Sequence, residues 1–227
     1  MPVVVSVDLR HRFGPARNQG RRPTCMAFAA SDAHAALRGE WEPLSCEYIF
    51  FKAQTRARKP PTMGSSLAAM LDALRLDGQP QEAGWPYLIL PPADPANWQP
   101  PHSVGPLYGR DGKRADYALN PILATLDQGT PIILLSCLSS SFYMPTAEAV
   151  VAPAADELPD PNIRHALIAV GHGDWSGERV VLVRNSWGPS WGDEGYAWLT
   201  ESFLAPRLFG AAILMENVDV SANSVAA

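Results

Sequence analysis

The chain has 227 residues, 47% of them hydrophobic, with 23 acidic against 18 basic side chains and a net charge of −5. That length can bury a core of its own, as one domain or as two lobes. The acidic balance gives no electrostatic reason to expect nucleic acid or an anionic membrane as partner. The apolar run Pro131 to Leu138 is far short of the ~20 residues of a membrane span and reads as a buried strand. Arg10, Arg12, Arg17, Arg21 and Arg22 are interrupted by other residues and read as a solvated face. Three cysteines, Cys25, Cys46 and Cys137, are too few and odd in number for a disulfide framework, which points to a reducing compartment. No two of them have zinc-ligand spacing, so no metal and no other cofactor is expected. Met1 to Val5 lacks a charged n-region and meets Asp8 and Arg10 too early for a signal peptide. A cytoplasmic monomer is expected, with delivery or secretion by a signal-independent route as the alternative.

In chain order, the β-branched run Val3 to Val7 predicts a strand, and Arg10 to Gln19, with Gly14-Pro15, a loop. A helix is predicted from Cys25 to Leu37, capped by Thr24 and stopping at Gly39. A second, Leu44 to Phe51, has Ser45 as cap and Cys46 as a small core residue. The third, Leu67 to Leu76, shows Leu67, Met70, Leu71 and Leu74 at helical spacing and ends at Gly78. Pro80 to Pro106, with Trp85, Tyr87 and Trp98, reads as a loop pinned to a surface. A fourth helix, Pro121 to Gln128 with Asn120 as cap, precedes the strand Ile132 to Cys137. Ser139 to Asn162 reads as a long loop; strands follow at His165 to Val170, Arg179 to Arg184, Gly195 to Leu199 and Ala211 to Met215, then a frayed tail, Ser221 to Ala227. Helices gather in the first half and strands in the second, an α+β pattern of two segregated lobes.

Asn18-Gln19-Gly20-Arg21-Arg22-Pro23-Thr24-Cys25 is the stretch that calls for chemistry. A thiol at a helix N-terminus feels the positive end of the helix dipole, which favours thiolate. The Cys25 backbone N–H and the Gln19 side-chain amide could together face one developing oxyanion. A cysteine nucleophile needs a base, and the base an orienting partner. His165 opens one strand, and Asn185 follows the next, beside Trp187. An Asn carbonyl there can accept the ring N–H not used toward sulfur and so fix the tautomer. His34 reads as structural, and His102 and His172 as loop or surface residues.

Asn18-Gln19-Gly20 with Cys25-Met26-Ala27-Phe28, then His165-Ala166-Leu167, then Asn185-Ser186-Trp187-Gly188 with Trp191-Gly192 and Gly195-Tyr196 resemble, in order, the three signature segments of the papain-like (C1) cysteine peptidases. Gly64-Ser65-Ser66-Leu67 and Gly84-Trp85-Pro86-Tyr87 are similar to compact bacterial members. The fold this resemblance implies is α+β with two lobes and the active-site cleft between them. A mainly helical lobe over 13–112 would carry the nucleophile, and a mainly β, barrel-like lobe over 1–12 and 113–220 the His and Asn, with 221–227 a tail. The resemblance assigns Cys25 as nucleophile, His165 as general base and then acid, Asn185 as its orienter, and Gln19 with the Cys25 N–H as oxyanion hole. Sulfur and imidazole would then face each other across a groove, with Trp187 covering the His–Asn pair. Gly64 and Ser65 would line the substrate cleft, and Leu67, Leu135 and Ala166 an apolar pocket.

The chain also departs from the family pattern. Arg22 and Met26 stand where the family usually has Cys and Trp, so its usual disulfides are absent; Arg164 precedes the histidine in place of Asn or Asp. A guanidinium there would disfavour the imidazolium and favour the thiolate. The family's inhibitory propeptide is missing from this sequence, Met1 lying almost at the usual mature start; either it has been processed away or activity is restrained by location, partners or substrate choice. The function implied is a cysteine endopeptidase acting on a peptide or protein through a thiolate–imidazolium pair and a thioester acyl-enzyme. Two alternatives are a dedicated maturation enzyme, transpeptidase or effector with the same thiol chemistry, and a non-catalytic peptide-binding module. The loop acids Asp156, Glu157 and Asp160, just before His165, read as a solvated acidic loop, with a preference for basic substrates as the alternative.

Overall fold

The structure, a computed structural model, describes residues 2–91 and 94–220. The expectation of a frayed tail over 221–227 lies outside them. In chain order the elements are β1 (Val4–Asp8), α1 (Cys25–Ala36), α2 (Cys46–Ala57), α3 (Leu67–Leu76), β2 (Gly109–Ala115), α4 (Leu119–Asp127), β3 (Ile132–Leu138), β4 (Val150–Val151), β5 (Asp160–Trp175), β6 (Glu178–Arg184), β7 (Tyr196–Thr200), α5 (Glu201–Leu204) and β8 (Leu208–Val218). The chain divides into two units, Met1–Asn18 with Arg114–Ile213, and Gln19–Lys113 with Leu214–Ala227.

The second unit is built on helices. Met26 to Ala36 of α1 are all buried, as an Ala-rich helix with no polar face must be. Ser45 starts α2 as predicted, its hydroxyl accepting from the Tyr48 N–H at 3.0 Å, and Ser66 does the same for α3 through Ala69 at 3.3 Å. Beyond α3, Gly78 takes φ +66°, where the Tyr108 backbone leaves little room for a side chain. The proline-rich stretch packs through Trp85 and Trp98, both buried, against Phe51 of α2 at 5.6 and 5.1 Å between ring centres. Gln79 gathers the polar groups of this core, donating to the Ser31 hydroxyl and the Ser45 carbonyl while its Oε1 lies 3.3 Å from His34 Nδ1. Burial, with Arg110 adding repulsion, pulls the His34 pKa down to about 3, so this histidine is neutral and structural.

The first unit is organised on β5. One edge of β5 pairs with β3 and further along with β1, the other with β6, all antiparallel. From β8 the sheet order runs β8-β3-β5-β6-β7-β4, with β2 as the other neighbour of β8. This path ends on β4 and does not close, so the barrel-like form expected for the β lobe is corrected to an open sheet. The β4–β7 pair is parallel, whereas β1–β5, β3–β5, β3–β8, β5–β6 and β6–β7 are antiparallel. The α+β class stands.

Several boundaries differ from the sequence reading for identifiable reasons. Helix α4 starts at Leu119, two residues before Pro121, and Asn120 does not cap it: its Oδ1 accepts from Arg179 at 2.6 Å. Pro121 fits the first turn because its missing N–H would have had no partner there. The stretch 139–162 is not one loop. It holds a 3-10 turn at Ser140–Tyr143 and the strand β4, and its last residues already belong to β5. Local sequence could not show this, since β4 is held by pairing with β7 nearly fifty positions later.

Candidate active site

In the helical unit, Cys25 is the first residue of α1. No acidic residue lies in the first turn of that helix. The predicted cap is corrected: Thr24 makes no capping bond. Its hydroxyl sits 2.8 Å from the phenol oxygen of Tyr87, whose own O–H is donated to the Gln19 carbonyl at 2.7 Å, so Thr24 is the donor of the pair. The turn ahead of the thiol is thus tied at both ends to one tyrosine. Gln19, buried, donates from Nε2 to the Arg22 carbonyl at 2.8 Å, and the Thr24 N–H donates to that same carbonyl at 2.8 Å.

In the β unit, register brings His165 to Asn185. Ile168 of β5 pairs with Arg184 of β6, which places His165, three residues earlier on β5, near Asn185, the residue that follows β6. His165 Nε2 lies 2.7 Å from Asn185 Oδ1. The Ser186 backbone N–H, which can only donate, lies 2.8 Å from the same oxygen. That contact identifies the atom as the amide oxygen, so the imidazole must donate from Nε2 and keep its lone pair on Nδ1. Asn185 is held in turn by its own N–H, which donates to the Gly195 carbonyl at 2.9 Å. Gly195 takes φ +90° with Ala16 against it, a position that a side chain would fill.

An aromatic shell surrounds the pair. Trp187 lies 5.0 Å from the His165 ring and Phe142 6.0 Å, while Tyr143 stacks on Trp187 at 5.3 Å. Trp191 anchors the shell by donating from its indole N–H to the Phe142 carbonyl at 3.0 Å. Burial pulls the His165 pKa down to about 4, against the opposing effect of the Asn185 hydrogen bond. Such a shell excludes water and strengthens the His–Asn bond.

The sequence model described as papain family cysteine protease matches residues 118–204, the span that holds this pair. That stretch of the chain is similar to the papain family of cysteine proteases. A cysteine protease of Blomia tropicalis is 26% identical over 196 residues, covering 81% of this chain and 56% of that protein. The germination-specific cysteine protease 1 of Arabidopsis thaliana is 42% identical over 55 residues, 24% of this chain and 15% of its own. The chain therefore spans no more than about half the length of these curated relatives. Xylellain, a cysteine protease from Xylella fastidiosa, superposes with a TM-score of 0.78 at 21% identity, covering 92% of this chain and 84% of that one. That likeness speaks for the papain fold alone.

The remaining predicted positions fall into the two units separately. Gly64 is exposed and Ser65 donates to Gln54 Oε1 at 3.1 Å, while Leu67 is buried as the first residue of α3. Leu135 and Ala166 face each other in register on β3 and β5, and Trp187 shields the histidine. Arg164 alternates with His165 along β5. Its guanidinium lies over the Phe209 ring at 5.5 Å and donates to the Pro161 carbonyl, and it is not among the causes of the His165 pKa shift.

Two features were missed in the sequence. Phe142 and Tyr143 lie in what reads as a featureless loop, and nothing local marks them as neighbours of Trp187. Glu157, read as part of a solvated acidic loop, spends its carboxylate on its own loop, accepting from the Ser140 hydroxyl at 3.2 Å, the Ser141 N–H at 2.7 Å, the Ser141 hydroxyl at 2.5 Å and the Ala154 N–H at 2.8 Å. Burial works to raise its pKa, but these bonds outweigh it and hold the value at about 2. It braces the turn that carries Phe142 and Tyr143.

Proposed function

We propose that this chain is a cysteine endopeptidase that cleaves peptide bonds through an acyl-enzyme. The carrying observation is the His165–Asn185 geometry: an imidazole whose Nε2–H is spent on an amide oxygen presents Nδ1 as a base. In this reading the Cys25 thiolate attacks the scissile carbonyl and forms the thioester. Gln19 and the Cys25 N–H stabilise the oxyanion, and His165 gives its proton to the leaving amine. It then takes a proton from the water that hydrolyses the thioester, which releases the acid and restores the Cys25 thiolate and the protonated His165. The surroundings of His165 within its own unit hold it neutral, so the imidazolium of the resting pair must be stabilised by the thiolate itself. Peptide or protein is the substrate. Gly64, Ser65 and Leu67 in one unit, and Leu135, Ala166 and Trp187 in the other, are its proposed contacts.

The deciding experiment is covalent labelling with an epoxysuccinyl peptide alongside hydrolysis of fluorogenic peptides. Modification of Cys25, its loss in Cys25→Ala, and turnover that disappears with it are the expected results. Labelling of another residue, or turnover that survives Cys25→Ala, would sink the assignment. Gln19→Ala should lower the rate by about 10²–10³-fold, the usual cost of one oxyanion donor.

A further inference from the structure

Arg22 occupies a position where a charge is costly to bury, and it is buried: its side chain is 3% exposed and that of Glu47 0%. The guanidinium forks onto the carboxylate, Nη1 to Oε2 at 2.5 Å and Nη2 to Oε1 at 2.9 Å. Both partners are held from elsewhere. Glu47, the second residue of α2, also accepts from Trp98 Nε1 at 2.6 Å and from the Leu88 N–H at 3.0 Å; Arg22 also donates to the Leu88 carbonyl at 2.5 Å and lies over the Tyr87 ring at 5.0 Å. Arg22 Nε is buried without a partner, an uncompensated cost. Apolar side chains of similar size would serve stability as well or better. What the fork does supply is a fixed direction for the residue whose carbonyl receives both the Gln19 Nε2–H and the Thr24 N–H.

We propose that the Arg22–Glu47 pair is a thiol-independent clamp that sets the Gln19 carboxamide in place, making both residues positioning residues for the reaction. The inference rests on the reading of Gln19 as an oxyanion donor. The chain of contact is short: Glu47 on α2 holds the Arg22 side chain, and the Arg22 carbonyl holds the Gln19 amide. None of the three cysteines forms a disulfide, so no covalent tie does this work.

The test separates chemistry that builds an oxyanion from chemistry that does not. Peptide hydrolysis builds one. Alkylation of Cys25 by iodoacetamide does not, since the thiolate displaces iodide at a saturated carbon. In Glu47→Gln, kcat should fall by about 10–10²-fold with KM nearly unchanged, the alkylation rate should stay within about threefold, and adding Gln19→Ala should cost about twofold or less further. Arg22→Lys, which keeps the charge but loses the fork, should show the same split. If Glu47→Gln does not fold, the apolar pair Arg22→Met with Glu47→Leu carries the same measurements. Alkylation that falls in step with hydrolysis, or full additivity with Gln19→Ala, overturns the clamp. A readout without turnover is the side-chain amide pair of Gln19 in ¹⁵N NMR of the Cys25→Ala protein. Glu47→Gln should move it toward solvent-averaged shifts, and unchanged resonances overturn the proposal. A wild-type chain that neither hydrolyses peptides nor labels at Cys25 defeats the peptidase reading instead, while the Gln19 resonances still decide the clamp.

Discussion

Asn185 Oδ1 receives two donors, the Nε2–H of His165 at 2.7 Å and the backbone N–H of Ser186 at 2.8 Å. The second contact makes the first unambiguous, because a backbone amide fixes which end of the carboxamide is oxygen. Asn185→Ala removes the orienter and leaves the base. It should lower kcat by about 10–10²-fold, less than the loss from His165→Ala, which approaches the ~10²–10⁴ of a general acid–base group. Steady-state kinetics of the two variants side by side check this ordering; equal losses would deny Asn185 a merely orienting part.

Stability should fall on mild acidification. His165 and His34 have folded pKa values depressed from 6.5 to about 4 and about 3. Below 6.5 the unfolded chain takes up protons that the folded chain refuses, so stability drops as pH falls from about 6.5 to about 4 and then levels for His165. That share is on the order of 3 kcal/mol, at 1.36 kcal/mol for each pH unit. Urea titrations of Cys25→Ala at pH 7 and pH 5 isolate the effect from any thiolate. Equal midpoints would contradict two neutral buried imidazoles.

Trp187→Ala should let water reach the His165 ring, with Phe142 and Tyr143 losing the surface they pack on. The His165 pKa should then climb from about 4 toward 6.5, read directly from imidazole NMR shifts in the Cys25→Ala background. A value that stays near 4 would place the cause of the depression elsewhere than in the aromatic shell.

Reductant should leave the fold untouched, because the cysteines form no disulfide. An unchanged Tm in excess dithiothreitol is expected. By contrast, Glu47→Ala strands the Arg22 charge and should cost about 3–5 kcal/mol, measurable by denaturant titration. A drop in Tm with reductant would reveal a bridge that the structure does not contain.

The acids before His165 should confer no preference for basic substrates through Glu157, whose carboxylate serves the loop from Ser141 to Ala154. Glu157→Gln keeps the shape but weakens the four bonds the carboxylate accepts. Its effect should be the same on neutral and Lys- or Arg-containing peptides; a loss confined to basic peptides would restore the substrate-binding reading.

The candidate residues were legible because each is marked locally. Cys25 starts an Ala-rich run, Asn185 sits between a strand and Trp-Gly, and the cap Ser45 lies just ahead of a dense apolar run. Thr24 shows where such reasoning stops. Its position is that of a cap, yet its hydroxyl goes to Tyr87, 63 residues away. Asn120 is diverted to Arg179 in the same manner.

By itself, the order of residues determined the α+β class and most elements, since these depend on periods and neighbours a few positions apart, while the proposed nucleophile, base, orienter and oxyanion donor rest on the resemblance of its three segments to the papain-like peptidases. The tertiary structure alone decided that the sheet stays open, which nitrogen of His165 keeps its lone pair, that Glu157 braces its own loop, and that Arg22 finds Glu47. Each of these turns on which polar group lies within about 3 Å of another across tens of residues. Local propensity carries no information about that distance; only the packed chain sets it.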